Sequence, residues 1–200
     1  AGFARFLEAA SFSQGSILSI SSVARECSVE RKVVESYFSI LEDLLMAYRL
    51  PVFTKKAKRR MISHPKFYFF DVGVYRTLRP AGPLDMPEEI EGTSLETLLF
   101  QELNAANTDY GLGYKIYYWR TAGNAEVDFV LYGDKGMRAF EIKRTARVSG
   151  VMLKGLKSFL QDYPMSKAYF VYGGSREIRD GKISILPIED ALRRLPELLS

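Results

Sequence analysis

The sequence predicts a mixed α/β (α+β) chain in which a helical N-terminal module precedes a domain of strands and helices, and three observations carry that prediction. Apolar residues recur at helical spacing through the first 48 positions. Ala125–Gly133 and Met137–Lys143 alternate apolar and polar residues, and Gly133-Asp-Lys-Gly136 between them supplies turn residues for an antiparallel hairpin. Arg79-Pro-Ala-Gly-Pro-Leu-Asp-Met-Pro87 concentrates structure breakers. The reading divides the chain into a domain over 1–79, a linker over 80–91 and a second domain over 92–200.

In the first domain, Phe3, Phe6, Leu7 and Ala10 have the spacing of an amphipathic helix that Gly15-Ser16 ends. Ser21-Ser22 can cap a short helix through Cys27. Ser28 can cap a longer one from Arg31 to Tyr48, with Val33, Val34, Tyr37, Phe38, Leu41, Leu44 and Leu45 on one side. Met46–Phe53 and Lys66–Phe70 then read as a β-hairpin around a basic loop, and Asp71–Leu78 as a short helix. Helix, short helix, turn, longer helix and hairpin make a winged-helix pattern. Its loop places Lys55, Lys56, Lys58, Arg59 and Arg60 within six positions, with no acidic residue among them, as phosphate-contact candidates. The third helix offers no strongly basic face, since Glu30, Arg31, Lys32, Glu35, Glu42 and Asp43 mix both signs.

The second domain begins with a helix from Thr93 or Ser94 to about Asn107, in which Glu96 and Glu102 fall inside the apolar arc. A charge there is costly unless paired or bound to metal. Strands follow at Lys115–Arg120, Ala125–Tyr132 and Met137–Arg144, then a helix over Val151–Tyr163, strands at Lys167–Tyr172 and 182–186, and a helix from Pro187 to Leu199 broken near Pro196. Side chains alternate across a strand, so Glu141 and Lys143 share a face, and Asp128 shares one with Glu126. A register that sets Asp128 beside Glu141 brings two carboxylates and an ammonium together. Metal-assisted phosphodiester hydrolysis needs such a group: hard oxygen ligands for a divalent ion, and a cation near the attacking water. Alone, Glu-x-Lys on a strand is a weak signal, because a solvated surface strand carries it as readily. Arg144 and Arg147 add a basic edge beside it.

Composition narrows the classes. An apolar share of 47% supports real cores, and a net charge of +4 argues little about partners. One cysteine and one histidine, Cys27 and His64, exclude a disulfide framework and a Cys/His zinc site. No apolar run approaches a membrane span and no signal-peptide pattern opens the chain, so the expected setting is cytoplasmic.

Asp128 followed by Glu141-x-Lys143 resembles the PD-(D/E)XK nuclease superfamily, although Val127 stands where the family's proline would be. The resemblance implies a restriction-endonuclease-like domain with a central mixed sheet. It also implies Asp128, Glu141 and Lys143 as catalytic residues, Asp128, Glu141 and Glu96 as metal ligands, and Mg²⁺ or Mn²⁺ as cofactor. With Pro65–Gly73, Gly92-Thr-Ser-Leu-Glu96, Tyr118-Trp-Arg-Thr121 and Glu126–Val130, the whole chain is similar to the C-terminal region of a prokaryotic AAA-type ATPase family. That similarity implies DNA and an N-terminal ATPase domain as partners, with ATP entering only through that domain. The sequence holds no usable Walker A motif, so a fragment of a longer chain is expected. Two functions stay open: a metal-dependent nuclease domain delivered to DNA by the winged helix, and a catalytically silent module that binds DNA or protein for the ATPase.

Overall fold

The structure, a computed structural model, describes residues 2–55, 57, 61, 64–83 and 85–200. Its architecture is mixed α/β, with a six-stranded and a two-stranded sheet and helices around them. The chain divides into two units, residues 1–50 with 64–98 and residues 51–63 with 99–200.

In the first unit α1 (Gly2–Ser11), α2 (Ile20–Cys27) and α3 (Arg31–Asp43) precede an antiparallel pair, β1 (Ala47–Leu50) and β2 (Lys66–Phe69). Phe6, Val23, Val34, Phe38, Leu41 and Phe67 form its core, and each fully buried aromatic or aliphatic side chain contributes about 1.5–3 kcal/mol. Ser19, not Ser21 or Ser22, caps α2 by accepting the Ser22 N–H, at 3.3 Å. Ser28 closes α2 instead of opening α3, its φ of 55° placing it in the left-handed region of a helix C-terminus. The α1–α2 connection lines up beside β2: the Gly15 N–H donates to Phe67 O and the Phe67 N–H to Ser16 O. Asp71 caps α4 (Val72–Leu78) through the Val74 N–H.

Helix α5 (Pro87–Asp109) starts earlier than the sequence reading placed it, with Pro87 as its first residue, where a missing N–H is harmless. Thr93 and Ser94 both lie inside it, the Ser94 hydroxyl donating to the Ile90 carbonyl, so neither is a cap. The boundary between the units falls within α5, after Leu98, and the proline-rich stretch before it belongs to the first unit.

The second unit is built on a sheet of order β3-β4-β5-β6-β8-β7. β3 (Lys115–Arg120), β4 (Glu126–Gly133) and β5 (Gly136–Lys143) form an antiparallel meander. β6 (Lys167–Tyr172) and β8 (Ile183–Pro187) continue it in parallel, and β7 (Ile178–Asp180) pairs antiparallel to β8. A parallel β5–β6 step requires a crossover, which α6 (Lys154–Asp162) supplies. Leu156 and Phe159 of α6 pack with Trp119, Val130, Ala139, Phe170 and Ile185. Phe129 and Phe140 join a second set of contacts, Phe129 stacking on Phe100 of α5 at 5.6 Å and Phe140 on Tyr169 at 4.8 Å. The chain closes with α7 (Ile188–Arg193) and α8 (Leu195–Leu199); Pro196 opens α8 where the sequence reading had it end a helix. Residues 51–63 also belong to this unit: Val52 bridges Tyr118, and the Phe53 N–H donates to Tyr118 O at 2.7 Å. No helix among the described residues is long and apolar enough to cross a membrane.

Candidate functional site

The site is prepared by a fault in the β4 ladder. Tyr117 pairs with Val130 and Trp119 with Val127, so Asp128 and Phe129 together oppose the single residue Tyr118. Such a bulge re-aims a side chain, and here it breaks the alternation of the strand: Val127 and Val130, three positions apart, both enter the core against α6. On its other side β4 keeps register with β5 through Phe129–Phe140, and one further step sets Asp128 opposite Glu141.

Asp128, Glu141 and Lys143 do come together. Lys143 Nζ lies 3.6 Å from Asp128 Oδ2 and 3.8 Å from Glu141 Oε1. The carboxylates are buried, with side chains 7% and 11% exposed, while that of Lys143 is 45% exposed. Asp128 Oδ2 also accepts the Ile142 N–H at 3.0 Å, so the backbone of β5 fixes the carboxylate.

Helix α6 closes the site from above. A Cβ on Gly155 would run into the Glu126 carbonyl oxygen and would lie 3.1 Å from Glu141 Oε2. Glycine is therefore what allows the first turn of α6 to come close to the Glu141 carboxylate, where the positive end of its dipole favours a negative charge. Nothing in the helical pattern over Val151–Tyr163 marks Gly155, because a glycine among apolar and basic residues carries no sign of what its missing Cβ would meet. Beside the site, Arg120 pairs with Glu126 at 3.3 Å. Arg144 and Arg147 are exposed on the segment leaving β5.

The remaining candidates fall elsewhere. Glu96 belongs to the first unit, where Lys66 Nζ approaches it at 3.3 Å and the Tyr68 hydroxyl donates to it. Its carboxylate is thus occupied by an ion pair, a role the apolar-arc argument could not separate from metal ligation. Lys55 lies in the second unit with its ammonium 4.3 Å from the Tyr132 ring centroid, and its backbone carbonyl accepts from the Tyr163 hydroxyl. Lys56, Lys58, Arg59 and Arg60 lie outside the described residues. Among the described residues no group of three or more His, Cys, Asp or Glu could hold a metal ion, which leaves Asp128 and Glu141 as a two-carboxylate set.

An α/β sheet protein with a buried carboxylate pair under a solvent-facing lysine is the class that fold and site define. Residues 91–191 match the family of a domain of unknown function, DUF4143, and the chain belongs to that family. Residues 1–85 match a second domain of unknown function, DUF8612. Uncharacterized proteins of Mycobacterium bovis and Mycobacterium tuberculosis are each 29% identical to this chain over 185 residues, 91% of its length. The chain spans 38% of the length of these relatives. A crystal structure of protein VC1899 from Vibrio cholerae aligns with 98% of this chain and 49% of its own, at 14% identity and a TM-score of 0.36.

Proposed function

We propose that the second unit is a PD-(D/E)XK-type nuclease-like domain acting on phosphodiesters. In the same reading the first unit is a winged helix that places it on DNA, and both are the C-terminal part of an AAA-type ATPase. The observation that carries this reading is the reach of one lysine ammonium to two buried carboxylates at a strand bulge. Two carboxylates fit Mg²⁺ or Mn²⁺, which keep several waters and take few protein ligands. Asp128 and Glu141 would hold the ion, which when bound supplies charge on the phosphoryl oxygens and a more acidic water.

The chain's own groups do the rest. The Ile142 N–H holds Asp128 in place, the first turn of α6 supports the charge of Glu141, and burial keeps both carboxylates aimed. Lys143, with its head in solvent, positions the attacking water or exchanges a proton with it. Arg144 and Arg147 offer phosphate contacts on the exposed edge. Glu96, the third ligand that the resemblance implies, is engaged by Lys66 and the Tyr68 hydroxyl.

A specific observation favours the second reading, a silent binding module, for the first unit. Val33, Ile40 and Leu44 fall within about 40° of one another around the axis of α3 at 100° per residue, and they are 38%, 43% and 63% exposed. The sequence reading had placed Val33, Leu44 and Leu45 on the buried side. An exposed apolar stripe of this kind suits a protein partner better than a DNA groove.

Cleavage of supercoiled DNA in Mg²⁺ or Mn²⁺ decides between the readings. Glu141→Gln should abolish nicking, and Lys143→Ala should lower it by about a hundredfold or more while Mn²⁺ binding persists in calorimetry. Equal residual cleavage by wild type and both variants, with the ATPase-bearing parent behaving alike, would make the domain a binding module.

A further inference from the structure

On the α8 side of the sheet, a groove of about 620 Å³ runs over the strands farthest from β3. Its floor is set by register. Tyr169 of β6, Ser184 of β8 and Arg179 of β7 stand in one row across three strands. Lys167 and Lys182 immediately precede the next pair, Ala168–Ile183, and so stand side by side at the same end of β6 and β8. Both lysines, Arg179 and Ser184 line the groove.

The charges there do not balance. Arg194 takes both carboxylates of the wall, reaching Glu177 at 2.9 Å and Glu197 at 3.3 Å, and these carboxylates hold its pKa above the usual arginine value. Lys182 donates to the Pro164 carbonyl oxygen, at 3.2 Å. Among the described residues no carboxylate pairs with Lys167, Arg179 or Lys182. Like charges facing each other on neighbouring strands destabilise a sheet. A polar concave floor carrying three such cations is stabilised by an anion that bridges them, and phosphoryl oxygens suit both the ammonium and guanidinium donors.

We propose that this groove is a phosphate-binding site, distinct from the Asp128–Glu141–Lys143 site, taking the phosphoryl groups of a polyphosphate ligand or of a nucleic-acid strand on Lys167, Arg179 and Lys182. The Ser184 hydroxyl, in the row between Tyr169 and Arg179, adds a donor. Neither the basic loop nor the Arg144–Arg147 edge is needed for this binding, so it stands whether or not the protein cleaves DNA.

Titration in divalent-free buffer, with inorganic pyrophosphate in one arm and a short single-stranded oligodeoxynucleotide in the other, tests the proposal. Wild type should bind saturably and gain thermal stability. The Lys167→Gln/Arg179→Gln/Lys182→Gln variant should lose about tenfold or more in affinity, and its salt slope should fall by about 0.7 to 0.9 per lost contact. Lys115→Gln, an exposed lysine on β3, should bind like wild type. Without ligand the triple variant should melt no lower than wild type, because repulsion is removed; the single Lys182→Gln change, in a turn, serves as the milder form. Binding of pyrophosphate alone assigns the groove to free polyphosphates, binding of the oligonucleotide alone assigns it to a strand, and binding of both assigns it to the phosphoryl group that the two share. A wild type that binds neither probe, or variants that bind as tightly as wild type, would overturn the proposal.

Discussion

Each unit contains a lysine against a glutamate, and the two pairs are built in opposite senses. In the first unit Lys66 is the deeply buried partner, its side chain 4% exposed, and Glu96 is 18% exposed. The contact is direct at 3.3 Å, with the Tyr68 hydroxyl closing on the same oxygen. In the second unit the carboxylates of Asp128 and Glu141 are the buried partners, the lysine faces solvent, and the contacts lengthen to 3.6 and 3.8 Å. A buried cation held by a short ion pair is a structural lock, since separating the charges would strand one of them. Buried anions under a solvent-facing cation can exchange that cation for a metal ion or a substrate water. The depth and direction of burial distinguish the lock from the candidate site, although both pairs use the same residue types.

Five substitutions sharpen this contrast. Glu96→Ala leaves the Lys66 ammonium buried without that carboxylate and should destabilise the first unit by about 3–5 kcal/mol in denaturant unfolding. Lys66→Met should do less harm, because it removes the charge as well as the pair. Gly155→Ala forces α6 away from the Glu126 carbonyl and should lower stability by about 1–3 kcal/mol. It should weaken Mn²⁺ binding too, whereas a destabilising core change elsewhere should not. Leu45, 68% exposed with a φ of 58°, bears left-handed strain in the α3–β1 turn. Leu45→Gly should raise stability by about 1 kcal/mol, read as a higher melting temperature. The smallest effect is expected at the candidate site: Glu141→Gln should change stability by only about 0–1 kcal/mol, because the contact to the half-exposed Lys143 is longer and the change relieves repulsion between two buried carboxylates. A loss as large as that of Glu96→Ala would make Glu141 a second lock and remove the distinction.

Much of the fold was legible because periodicity is local. Phe6, Val34, Phe38 and Leu41 repeat at helical spacing and are buried, and the β4–β5 hairpin follows from alternation and its glycine turn. Errors gathered where two signals share one residue type. Pro87 looked like part of a linker and starts a helix, because proline breaks a helix interior but suits its first turn. Strand β7, three residues long, is too short to show a period. Val33 and Leu44 satisfied the apolar count for α3 yet face solvent, since an apolar stripe does not say which stripe meets the core.

For the candidate site, the sequence by itself determined which groups were available: Asp128, Glu141 and Lys143 on adjacent strands, with Glu141 and Lys143 on one face. Alternation along a strand is a property of the backbone and needs no knowledge of the rest of the chain. Only the tertiary structure decided that the bulge turns Asp128 toward Lys143 and that Gly155 lets α6 approach Glu141. It also decided that Glu96 serves an ion pair in the other unit and that Lys167, Arg179 and Lys182 line one groove. Each of these depends on pairings between segments ten or more residues apart, and the side chains involved carry no mark of their partners until the tertiary structure brings them together.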